Sequence, residues 1–198
     1  MELDIKIDVE ENTAKNEVIS KKLYKEFLEG NNEALNEIIK MYRNELIYFI
    51  YKYVKDFQGA EDVSQEVFVY LLLHREIYDF KYSFRTYLYT IAKSRACNYI
   101  KSRKKIIFID ENLERSCSEI TDVEDEVFRN FENIKLRNTL KNLKKEYQVA
   151  IYLIDFKRLS YEETGIIMNK NISQVKALIH NARKRLKVFL EKETNEEV

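Results

Sequence analysis

Apolar positions recur along this chain with a helical period, and polar turns interrupt them at short intervals. Val18, Ile19, Leu23, Phe27 and Leu28 share one face of a helix ending near Glu29, because residues three and four apart are neighbours on a helix. Gly30-Asn31-Asn32 breaks that helix, and Asn32 is placed to cap the next one. Leu35, Ile38, Ile39, Tyr42, Leu46, Phe49, Ile50 and Tyr53 then make an amphipathic stripe over roughly five to six turns. Gly59 marks a break before a third helix, Ala60 to about Arg75, with Val63, Val67, Phe68, Leu71 and Leu72 inward. An aromatic-rich loop, His74 to Ser83, leads into a fourth helix from Phe84 to about Arg103.

Beyond Lys104 the period dissolves into a short apolar patch, Ile106 to Phe108, and an acidic, serine-bearing stretch from Asp110 to Asp125. That stretch reads as a linker. Helical period resumes near Val127 and continues through Leu136, Leu140 and Leu143, then Tyr147 to Asp155. Ser160-Tyr161-Glu162-Glu163 fits a capping box and opens a short helix to Met168. In the turn Asn169-Lys170-Asn171, asparagine tolerates the left-handed backbone. Ser173 is expected to cap a second helix carrying Val175, Leu178, Ile179, Ala182 and Leu186. Two helices about a tight turn, the second strongly basic, form the helix-turn-helix pattern.

Composition narrows the choice. The 198 residues include no proline, no tryptophan and three glycines, which favours helices over turn-rich sheets and leaves no way to write a glycine-cradled phosphate site. Cys97 and Cys117 stand far apart, and His74 and His180 share no ligand spacing, so neither a disulfide nor a metal is expected. No apolar run approaches the ~20 residues of a membrane span. Met1 to Glu11 is acidic rather than signal-like, so the expected location is the cytoplasm without membrane insertion.

The net charge of zero conceals segregation. Lys81 to Lys105 holds eight basic residues and no acid; Asp110 to Glu132 holds nine acids against Arg115 and Arg129; Lys135 to Lys192 holds fourteen basic residues against five acids. Two basic blocks on one acidic tether suggest two nucleic-acid contacts. Solvated lysine-rich helices would look similar by composition alone.

Specific motifs tilt the balance. Gly59-Ala60-Glu61-Asp62-Val63-Ser64-Gln65-Glu66-Val67-Phe68 resembles the second conserved region of bacterial sigma factors, and Phe84-Arg85-Thr86-Tyr87-Leu88-Tyr89-Thr90-Ile91-Ala92 resembles the promoter-melting region that follows it. Ser160 to Glu163, Ser173 to Lys176 and Ala182 to Leu186 resemble the family's C-terminal helix-turn-helix. In this order and at this length the set is similar to the extracytoplasmic-function class. Tyr87 stands where the family usually has tryptophan, and Leu143-Lys144 where it has Leu-Pro.

The resemblance implies an all-α chain of two helical domains, with a mobile arm at 1–17, a region-2-like domain at 18–105, a linker at 106–126, a region-4-like domain at 127–192 and an acidic tail at 193–198. The acidic tether is expected to let the domains move independently. Asp62, Gln65 and Glu66 lie at i, i+3 and i+4 and share a face for core RNA polymerase. Tyr78, Phe80, Tyr82 and Tyr87 are candidate platforms for unstacked bases; Arg85, Lys93 and Lys101 would neutralise phosphates, and Ser94 and Asn98 would hydrogen-bond the strand. Ser173, Gln174, Lys176, Ala177, His180 and Asn181 would face the duplex, with Arg183 and Lys184 on its backbone. Promoter DNA and core polymerase are the implied partners, and an anti-sigma factor is a candidate one. Neither a cofactor, a small-molecule substrate nor catalysis is expected. The alternative is a helix-turn-helix regulator that binds duplex without joining polymerase.

Overall fold

The structure, a computed structural model, describes residues 2–109 and 139–195, with side chains described from 15 to 103 and from 139 to 191. The expected linker beyond Ile109, the first residues of the C-terminal domain, Cys117 and the end of the tail lie outside the described residues. The regular elements of the described chain are all helical: α1 (Glu2–Leu28), α2 (Asn32–Val54), α3 (Phe57–Leu73), a short 3₁₀ turn (Arg75–Ile77) and α4 (Phe84–Ile109). After the gap come α5 (Lys145–Ile151), which runs on into a π turn (Tyr152–Phe156), then α6 (Tyr161–Met168) and α7 (Ile172–Asn195). Among the described residues no helix is long and apolar enough to cross a membrane.

Three boundaries differ from the sequence reading, each for a local reason. The backbone of the expected arm is helical from Glu2 onward, in a stretch that contains neither proline nor glycine to stop it. The cap of α2 is Asn31, whose side chain accepts from the Glu33 N–H at 3.1 Å. Asn32 is already the first helical residue. Asn171, not Ser173, caps α7: its side chain accepts from the Gln174 N–H at 2.8 Å, and the Gln174 side chain accepts from the Asn171 N–H at 2.9 Å. The expected capping box at Ser160 and Glu163 is present in both directions.

The N-terminal helices bury Tyr24 and Phe27 of α1, Ile38, Leu46, Phe49 and Ile50 of α2, Val63, Val67 and Leu71 of α3, and Phe84, Leu88 and Tyr89 of α4. Each such side chain contributes ~1.5–3 kcal/mol of transfer free energy. Leu72, expected inward, is 45% exposed. In the C-terminal domain Leu153, Ile167, Val175, Ile179 and Ala182 are buried. Buried Gln148 ties down the approach to α5 by donating to the Leu143 and Lys141 carbonyls at 2.8 and 3.2 Å.

The two domains do not stand apart. Their buried residues form a single cluster, continuous through Tyr152 of the π turn. That ring lies 4.9 Å from Tyr48 of α2, and its hydroxyl donates to the Glu45 carbonyl at 3.1 Å. Lys145 donates to the Tyr53 carbonyl at 2.8 Å, and Lys55 to the Gln148 side chain at 3.1 Å. The independent motion expected from the tether meets a built seam here.

Candidate nucleic-acid interface and docking face

Helix α3 presents its polar face outward. Asp62, Gln65 and Glu66 are all exposed, because Val63, Val67 and Leu71 turn the opposite face into the core. The exposed face continues past the three residues singled out from sequence. Val69, Leu72 and Leu73 are 53%, 45% and 71% exposed, and Ile77 of the 3₁₀ turn extends the same end. The acidic and amide start of that face runs directly into bare aliphatics. Sequence reasoning missed the apolar half because helical period counts any leucine as core.

The aromatic loop divides unequally. Tyr78 is buried, donates to the Tyr82 carbonyl at 2.8 Å and stacks on Tyr87 at 4.8 Å. Burial raises the pKa of both phenols, that of Tyr87 to about 12. Tyr87 is half-buried, and its hydroxyl has no hydrogen-bond partner among the described residues. Phe80 is half-buried against Tyr24 and Tyr78, with the Lys25 ammonium 5.6 Å from its ring. Its backbone adopts φ +60°, a conformation an L-residue holds only where its surroundings enforce it. Tyr82 is 38% exposed. The loop therefore leaves Tyr82 exposed and Phe80 partly so, with buried Tyr78 packed against Phe80.

Along α4, Ser94, Asn98 and Lys101 are exposed at i, i+4 and i+7 and form one polar row. Arg85 and Lys93 lie on the other side of the helix. Arg85 is buried and donates to the Lys157 carbonyl at 3.0 Å. Lys93 is half-buried, and burial lowers its pKa. Cys97 is half-buried between the two rows. Tyr89 is fully enclosed. Tyr99 approaches Gly59 so closely that a Cβ there would meet its hydroxyl at 2.5 Å.

The helix-turn-helix is tight at its turn. Asn169 takes the left-handed backbone at φ 55°, and the Lys170 N–H donates to the Gly165 carbonyl at 2.9 Å. Ser173, Lys176, Ala177, His180, Asn181 and Lys184 stand exposed on α7, while Val175, Ile179 and Ala182 fix the helix to its base. Gln174 is exposed but engaged in the cap. Arg183 is paired with Asp155 of the π turn, which raises its pKa. No group of three or more metal-binding side chains occurs among the described residues.

Two family models match this chain in order: Sigma-70 region 2 over residues 38–106 and Sigma-70 region 4 over residues 133–186. The RNA polymerase sigma factor YlaC of Bacillus subtilis (strain 168) is 27% identical over 169 residues, covering 84% of this chain and 98% of that protein. The ECF RNA polymerase sigma factor SigM of the same organism is 28% identical over 168 residues, covering 83% and 99%. Among solved structures, the sigma factor RpoE in complex with the anti-sigma factor NepR from Bartonella quintana superposes with a TM-score of 0.64 at 18% identity, over 79% of this chain and 96% of that one. CnrH in complex with the cytosolic domain of CnrY gives 0.59 at 18% identity, over 89% and 97%.

Proposed function

Because the chain belongs to the extracytoplasmic-function type of the sigma-70 family and has RNA polymerase sigma factor function, we propose that three surfaces on separate helices divide its work. The first is the α3 face. Asp62, Gln65 and Glu66 pair with basic groups of core polymerase, and Val69, Leu72 and Leu73 bury against its apolar surface. The observation that carries this assignment is the exposure of that whole face on a helix whose other side is core. A regulator that binds duplex alone has no use for it.

The second surface holds parting strands. An unstacked base regains ~1–3 kcal/mol on an aromatic ring, and Tyr82 and Phe80 supply rings beside the basic α4. Ser94, Asn98 and Lys101 line the strand's path. The third surface is α7. Lys176, Ala177, His180 and Asn181 reach base edges of the upstream promoter duplex, and Lys184 meets phosphate. Arg183, held by Asp155, steadies the helix against the π turn and reaches the backbone from there. The chain makes no bonds itself; polymerase makes the RNA, in the cytoplasm. An anti-sigma factor is its further partner, in keeping with the complex of the sigma factor RpoE with the anti-sigma factor NepR from Bartonella quintana.

Run-off transcription tests the assignment. Core polymerase with this chain should give a discrete product on a template carrying its promoter, and core polymerase alone should not. In the same assay Asp62→Arg should abolish the product while helicity stays unchanged. Full activity in Asp62→Arg removes the docking assignment.

A further inference from the structure

Helix α1 ends before residue 38, where the Sigma-70 region 2 match begins, yet it is built into the aromatic loop. The Tyr24 hydroxyl donates to the Arg75 carbonyl at 2.8 Å. Its ring is fully buried, with centroids 5.2 Å from Tyr78, 6.2 Å from Phe80 and 5.2 Å from Phe84. Seven residues earlier, the Glu17 carboxylate accepts from the Phe84 N–H at 2.7 Å and ties α1 to the start of α4. Between them these contacts fix where the exposed neighbour of Tyr24, Lys25, stands: its ammonium lies 5.6 Å from the Phe80 ring centroid. The other lysines of this stretch behave differently. Lys21 and Lys22 reach Glu17 and Glu26 of their own helix at 3.5 and 3.7 Å. Lys25 makes no ion pair among the described residues, although Glu29 follows at i+4. Across the loop, exposed Lys81 lies 5.4 Å from the Tyr82 ring. Both rings that reach solvent therefore have an ammonium beside them.

We propose that α1 forms one wall of the strand-holding site and that Lys25 takes the phosphate of the nucleotide whose base stacks on Phe80. The proposal rests on the sigma-factor reading for what the loop holds. An exposed ammonium gains only ~0.5–1 kcal/mol from an aromatic face, so a phosphate draws it away at little cost. The arriving base then covers the ring that the ammonium leaves. Glu17 and Tyr24 are positioning residues: they hold Lys25 and the loop in one frame, and Tyr24 packs against Phe80, whose backbone sits at φ +60°.

A salt titration of holoenzyme on a promoter carrying a pre-melted bubble tests this. Each phosphate contact to a single strand adds ~0.7 to the slope of log affinity against log salt. Lys25→Ala should flatten the slope by ~0.7 and weaken the bubble complex by ~threefold or more at low salt. Lys25→Arg should keep the parent's slope, because it keeps the charge. Neutralising the phosphate gives a second reading. With methylphosphonate placed in turn at each linkage of the melted strand, one linkage should cost the parent affinity and cost Lys25→Ala none. On fully paired promoter kept closed in the cold, parent and variant should bind alike. An unchanged slope in Lys25→Ala overturns the proposal even if affinity falls, because Lys25 then only steadies the Phe80 ring. Equal methylphosphonate costs in parent and variant, or an equal loss on paired DNA, overturn it as well. Failure of the parent to support run-off transcription would instead overturn the sigma-factor reading.

Discussion

Lys52 places an ammonium where little water reaches. It is 7% exposed, donates to the Tyr48 hydroxyl at 2.8 Å, and lies 4.0 and 5.5 Å from the ring centroids of Tyr48 and Tyr152. Burial lowers its pKa to about 7, and the charges of Lys55 and Lys141 push the same way. The unfolded chain keeps this proton up to about pH 10.4, whereas the packed chain releases it near pH 7. Between those values the packed state binds fewer protons, so stability rises with pH, by at most ~1.4 kcal/mol per unit. Below that window both states hold the proton and the dependence flattens. Lys52→Met should therefore stabilise the chain at pH 7 by ~1–4 kcal/mol and remove the slope above it. Denaturant midpoints at pH 7, 8 and 9 check this; parallel profiles for parent and variant would contradict it. Nothing in the sequence marks Lys52, since a lysine on an amphipathic helix ordinarily faces water. At Gly165 the constraint is backbone rather than charge, because the turn brings Lys170 against it. A Cβ there would lie 2.6 Å from the Lys170 carbonyl, a backbone atom that cannot swing aside. Gly165→Ala should cost ~1–3 kcal/mol in thermal unfolding and weaken duplex binding with it.

At the scale of elements, period and punctuation carried most of the reading. Gly30, the Ser160 to Glu163 box and the asparagine turn all announced their breaks, because each acts through its own neighbours. What failed were features decided by distant residues. The π turn at Tyr152–Phe156 has no local signature, yet it aims Tyr152 at α2 and α4, and Arg158 just beyond it takes φ 55°. The outward turn of Leu72 likewise depends on what α3 packs against. If the apolar end of that helix is a docking surface, Leu72→Arg should lower affinity for core polymerase by tenfold or more, ~1.4 kcal/mol. Its unfolding free energy should stay within ~0.5 kcal/mol of the parent, because the side chain is already exposed. Equal affinity in a titration would confine docking to Asp62, Gln65 and Glu66.

For the whole molecule, the identity of the two domains was readable and their embrace was not. The motifs sit within domains, whereas the seam joins Glu45, Tyr89, Tyr152, Lys157 and Glu163 across long sequence separations. Burial pushes the Glu163 carboxyl up, but hydrogen bonds from Ser83, Ser160 and Thr86 outweigh it and hold the group below its ordinary range. One residue thus caps the helix-turn-helix and fastens it to the start of α4. The central claim is that duplex reading and strand holding reside on different surfaces, α7 against the loop and α4. The most direct measurement compares run-off transcription on a fully paired promoter with that on the same promoter carrying a pre-melted bubble. Tyr82→Ala and Phe80→Ala should fail on paired template and recover on the bubble, because stacking energy appears only once a base has left the duplex. Lys176→Ala and Asn181→Ala should lose ~1–3 kcal/mol of upstream binding on both templates alike. Recovery of both sets on the bubble, or of neither, would contradict the division.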